Sequence, residues 1–150
     1  MRFLKNIALV IAAMLLLTGC TTGKTVTFNV ETGDTIKIRL DTTNGFNIDE
    51  KVPFTITENG TAISVGKFVT LEGYNQFVSA GKGGDPNASA INEGTKNGIT
   101  WLFYKYEDED GKEYNYIITV NGSKTGIIIS NVISQESAQA CFDRLTFTKE

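Results

Sequence analysis

Apolar residues recur at every second position through most of this chain, and that period admits one kind of element, a strand with one covered face. Val26, Phe28 and Val30 alternate with polar residues, as do Ile36, Ile38 and Leu40 with Lys37, Arg39 and Asp41. Thr32-Gly33-Asp34 between them predicts a hairpin turn. After Asn44-Gly45, Phe54 and Ile56 alternate with threonines until Asn59-Gly60 turns the chain into Ala62–Val69. Asn-Gly is a strong hairpin signal because both residues accept positive φ. Ile99–Tyr106, Tyr114–Val120 and Gly126–Ser130 predict a three-stranded antiparallel meander, its first link the acidic turn ending at Gly111 and its second Asn121-Gly122. Ile99–Tyr104 is apolar on both faces, which predicts a strand covered on both sides.

Two segments follow the helical period instead. Leu71, Tyr74, Phe77 and Val78 predict a short helix over 71–80, with Thr70 as N-cap and Gly81 as its stop. Ser134 as N-cap and Glu136 in the first turn open a second helix, with Ala138, Cys141, Phe142 and Leu145 on one face and Arg144 in the last turn. Leu145–Thr148 returns to alternation and predicts a final strand. Residues 81–98, rich in Gly, Asn, Ser and Ala, read as a long surface loop, so deleting 84–95 is expected to leave the fold intact. The expected fold is α+β, an antiparallel sheet built from hairpins with a C-terminal helix packed on it; the alternative is an all-β immunoglobulin-like sandwich.

The first nineteen residues are of another kind. Arg2 and Lys5 precede the apolar run Ile7–Leu17, and Leu17-Thr18-Gly19 stands directly before Cys20. This resembles the signal peptide and lipobox of bacterial lipoproteins, with Leu17, Thr18 and Gly19 read by the peptidase and Cys20 acylated. The expected organisation is a signal peptide over 1–19, lipidated Cys20 with a polar tether over 20–24, and one globular domain over 25–150. Two acyl chains anchor stably, since each buried CH₂ contributes about 0.8 kcal/mol. The expected location is the extracytoplasmic face of the cell membrane, or an outer membrane where the host has one. With the Cys20 sulfur in a thioether, Cys141 is left as a buried free thiol.

Setting Arg2 and Lys5 aside leaves 12 basic residues against 17 acidic ones, a formal charge near −5, which argues against nucleic acid or anionic lipid as the ligand. The chain has no histidine, which removes the commonest general base and the commonest zinc and copper ligand. Gly23-Lys24-Thr25 lacks the first glycine of a phosphate-binding loop, Thr18 standing in its place. Asp108-Glu109-Asp110-Gly111 resembles part of a calcium loop, but that alignment puts Tyr106 first and Ile117 last, where carboxylates are required. The sequence therefore designates no catalytic residue, no metal ligands and no cofactor.

The order of parts is similar to the PsbP-like and DcrB-like family. The cues are Gly45-Phe46-Asn47-Ile48 leading to Val52-Pro53-Phe54, the aromatic strand at Trp101, Ile127-Ile128-Ile129, and the helix and strand from Ser134 to Phe147. This resemblance implies an antiparallel sheet packed with helices in an accessory or binding protein without a shared catalytic triad. The candidate binding surface is Trp101, Tyr104, Tyr106, Tyr114 and Tyr116, since tyrosine joins flat apolar area to a polar tip; cross-strand packing is the competing account. The expected function is a non-catalytic accessory module for an envelope protein or cell-wall component, acting through these aromatics or the 81–98 segment. A solute- or glycan-binding module is the alternative, and a carboxylate-dependent hydrolase the third reading.

Overall fold

Alternation becomes pairing in the computed structural model, which describes residues 22–150. Leu17, Thr18, Gly19 and Cys20, the residues expected to form the lipobox, lie outside the described residues. β1 (Gly23–Asn29) and β2 (Thr35–Asp41) form the first hairpin, and β10 (Leu145–Lys149) adds to the other side of β2, giving a three-stranded sheet ordered β1-β2-β10. β3 (Phe46–Ile48), β4 (Phe54–Glu58), β5 (Thr61–Thr70), β6 (Ala88–Lys96), β7 (Ile99–Asp108), β8 (Gly111–Val120) and β9 (Thr125–Asn131) form a second sheet ordered β3-β4-β5-β9-β8-β7-β6. Every pairing is antiparallel.

The predicted meander is present as β7-β8-β9, and both predicted helices form as α1 (Leu71–Ser79) and α2 (Gln135–Asp143). Thr70 caps α1 by accepting the Gly73 N–H at 3.1 Å, and Ser134 caps α2 by accepting that of Ser137 at 3.1 Å. Each satisfies one N–H that a helix start leaves without a partner.

The small sheet and α2 pack on one face of the large sheet, and α1 packs on the other. Ile36, Ile38 and Leu40 from β2 are fully buried against Phe54, Ile56, Ile127 and Ile129. Burying each such side chain contributes roughly 1.5–3 kcal/mol, so the faces of the two sheets hold each other. Phe28, Phe54 and Phe68 meet with ring centroids 5.1 to 5.7 Å apart. Gly66 faces the Phe54 ring, where any Cβ would collide with it.

Asp34 ties the two sheets together at one end. Its carboxylate accepts the Lys124 N–H at 2.6 Å and the Thr125 hydroxyl at 2.8 Å, and lies 3.8 Å from Lys149.

Several expectations are corrected. Ten strands against two short α-helices among the described residues make the fold sheet-dominated rather than a balanced α+β one. Helices on both faces of the large sheet also separate it from an immunoglobulin-like sandwich. Residues 81–98 are not a loop: 80–84 form a wide helical turn and Ala88–Lys96 is β6, paired along β7. As the outermost strand, β6 leaves most of its residues exposed and carries a bulge between Ala90 and Asn92, so it shows no alternation. Gly81 continues the turn instead of ending the helix. Gly23 and Lys24, expected in the polar tether, already belong to β1, where they pair with Asp41 and Leu40. Leu145 belongs to β10 rather than to the helical stripe.

Candidate functional site

Period two decides where the five aromatic candidates go. Trp101 lies opposite Ile118 on β8, while Phe103 lies opposite Tyr116 and Lys105 opposite Tyr114, so Trp101, Tyr114 and Tyr116 share the inner face. Tyr104 lies opposite Asn115 and Tyr106 opposite Glu113, which puts these two tyrosines on the outer face. The five therefore do not form one surface, because side chains one residue apart on a strand point to opposite faces.

The inner group is packing. Phe103, Tyr116 and Phe142 stack with centroids 4.2 and 3.9 Å apart and planes within 8° of parallel. Trp101 tilts against Tyr116 and Phe142, and the Lys96 ammonium lies 4.6 Å above the Phe142 ring. Burial pushes the Tyr116 hydroxyl pKa upward, with the Asp143 charge acting in the same direction. Cys141 is buried beside this stack, and burial raises its thiol to about 11 even though Ser64 and Arg144 act to lower it, so the neutral thiol is unreactive.

The outer group borders a groove. α1 covers Leu102, Ile117 and Ile128 with Tyr74, Phe77 and Val78. The turn after α1 then brings Gly81 so close that a Cβ there would stand 2.9 Å from Leu102 and 3.1 Å from Tyr104. Beyond this cover the sheet face opens into a groove of about 290 Å³. Phe77, Tyr104 and Tyr106 give it flat apolar area, Asn115 and Ser130 a polar floor, and Lys67, Asp85 and Glu113 charges of both signs. Asn115 is only 3% exposed and its Oδ1 accepts the Ser130 hydroxyl at 2.5 Å. With the oxygen engaged by Ser130, the donor that the side chain adds to the floor is its amide nitrogen. Burial, followed by the charges of Glu113 and Asp85, pushes the Tyr104 hydroxyl up to about 12, so it stays protonated and donates as well.

The sequence pointed to Tyr104 and Tyr106, and to Asp85 only within the 81–98 segment, but not to Lys67, Phe77, Glu113, Asn115 or Ser130. One signal was readable: Asn115 stands in the otherwise aromatic and aliphatic run Tyr114–Ile118, and a polar residue within a covered strand requires a partner.

A larger cleft of about 570 Å³ lies at the end of the two sheets near Asp34, between the Asn29–Thr32 segment, Val52 and Phe68–Thr70. Phe68, one of the three packed phenylalanines, lines it, and Val52 is 60% exposed at its rim. The acidic turn is closed on itself, Asp108 Oδ1 accepting the Asp110 N–H at 2.9 Å, and Glu107 pairs with Lys105 and Lys112. Among the described residues no group of three or more His, Cys, Asp or Glu side chains is placed to hold a metal ion. No described helix is long and apolar enough to cross a membrane. No protein-family model matches the chain, and no curated protein is significantly similar to it.

Proposed function

We propose that this chain is a lipoprotein held by acylated Cys20 on the extracytoplasmic face of a membrane, whose domain is a non-catalytic accessory module binding a cell-wall component or envelope protein. The observation that carries the binding role is the outer-face groove, where tyrosine and phenylalanine walls flank the amide and hydroxyl floor of Asn115 and Ser130. Aromatic faces take up the apolar side of a sugar or peptide while fixed polar groups set its orientation. The sequence before Cys20 supports the anchor. Membership of the PsbP-like and DcrB-like group is part of this proposal, and its support is the antiparallel sheet packed with helices.

Cross-linking on intact cells, affinity capture and mass spectrometry test the role, with Tyr106→Ala and Lys67→Glu run beside the wild type. One stoichiometric partner that both variants lose, at unchanged melting temperature, is the expected result. Contacts that are diffuse and indifferent to both substitutions reject the groove as the binding site.

A second reading is favoured by the larger cleft, whose volume and lining, Val30, Val52, Phe68 and Val69 set among polar residues, suit a small solute with an apolar part. Such a ligand raises the melting temperature because it binds only the folded state, and Phe68→Ala abolishes that rise.

A further inference from the structure

The connections between strands divide between two ends of the molecule, and hydrogen bonds identify each end. At one end the Thr42 N–H donates to the Thr22 carbonyl at 3.3 Å, the Arg144 side chain bonds Thr43, and the Asn59 N–H donates to the Gly45 carbonyl at 2.9 Å. The β4–β5 turn at Asn59-Gly60 is thus beside the start of β1. Since β9 neighbours β5 and pairs Asn131 with Ser64, the segment leaving β9 emerges at this same end. That segment carries Val132 and Ile133, 70% and 58% exposed, an adjacent apolar pair with nothing packed over it among the described residues. At the other end Lys124 joins Asp34 and the Leu71 N–H, and the Asn121 N–H donates to the Gly98 carbonyl at 2.8 Å. Ten-residue strands such as β5, β7 and β8 hold the two ends about 30 Å apart.

We infer that the end bearing Thr22, the Thr43–Gly45 turn and Val132-Ile133 is the face that rests on the bilayer, with the apolar pair inserted at the lipid interface. This rests on the proposed acylation of Cys20. Three residues lead from Cys20 to Gly23, and they span at most about 11 Å. A tether so short holds the start of β1 within the headgroup region and leaves the opposite end pointing away. Val132 and Ile133 then lose an unfavourable exposure to water by entering that region. The β7–β8 turn with Asp108 and Asp110 borders Val132 at the same end, so an anionic surface would repel this end and a zwitterionic one would not. The larger cleft, at the Asp34 end, faces away from the membrane and is open to whatever approaches from outside.

The test uses the full lipidated protein reconstituted into phosphatidylcholine vesicles containing nitroxide-labelled lipid. A fluorophore is attached at Ile133→Cys or, in a separate sample, at Glu31→Cys in the opposite turn. Quenching severalfold stronger at 133 than at 31 is expected, and it persists at high salt. Equal quenching, or stronger quenching at 31, in a chain that floats with the vesicles overturns the orientation and leaves the anchor standing. A chain found without acyl groups on Cys20, or one whose Cys20→Ala variant floats equally well, overturns the anchor reading and this inference with it.

Discussion

Phe142 shows how much one side chain can decide. It is 3% exposed, stacks on Tyr116 at 3.9 Å and meets Trp101 at 5.4 Å, so Phe142→Ala opens a cavity where three aromatic rings converge. The expected loss is about 3–5 kcal/mol in urea unfolding, as for large-to-small changes in other cores; a loss below about 1 kcal/mol would contradict the packing described. Asp34 gives a pH-dependent test. Burial disfavours its charge, but the bonds from Thr125 and Lys124 and the nearby Lys149 outweigh that and hold its carboxyl below the ordinary 3.8. The folded state therefore binds fewer protons than the unfolded one around this pH. Asp34 adds stability that is present above 3.8 and is lost as pH falls through the lower folded value. Asp34→Asn is expected to melt below the wild type at pH 7, with the gap narrowing as pH drops beneath 3.8. A gap constant with pH would mean that the charge contributes nothing.

Among the elements, the longer ones with a covered face were legible, whereas β3, three residues long, and β6, with no buried residue, were not. β2 buries every second residue, β8 buries Asn115 to Ile118 in succession because both its faces are covered, and Ser134 and Thr70 announce their helices through hydroxyls that cap them. β6 has almost nothing buried, so its order comes from hydrogen bonds to β7, and backbone bonding leaves no mark on residue choice. Asn97-Gly98, whose residues both have positive φ, was the local sign that Ile99 had a hairpin partner before it. The groove was half legible for the same reason: Tyr104 and Tyr106 stand out, whereas Lys67 and Asp85 reach it only through pairing and the turn after α1. Deleting residues 84–95 is now expected to strip the edge of β7 and uncover Trp101 against Gly94. The variant should melt lower and show red-shifted emission from its single tryptophan; wild-type melting would contradict the pairing of β6.

For the molecule as a whole, one cluster of buried residues joins both sheets and α2, from Val26 through Ile127 to Phe147. The small sheet has no core of its own to retain, and the large sheet alone would keep only the smaller cluster of Leu102, Ile117 and Ile128 under α1. Hydrogen exchange is therefore expected to give β2 and β9 the same opening free energy, equal to that of global unfolding. Earlier release of the β1-β2-β10 sheet would show that the two sheets are separable.

The last strand completes the first hairpin. β10 pairs Leu145 with Leu40 and Phe147 with Ile38, so the inner strand of the small sheet lacks one neighbour until the final residues of the chain arrive. Closing a loop of about a hundred residues is entropically slow compared with forming a hairpin. A chain made from its N-terminus therefore leaves β2 with one open edge until residues 145–149 have emerged, and the first hairpin waits for a partner that lies more than a hundred residues on.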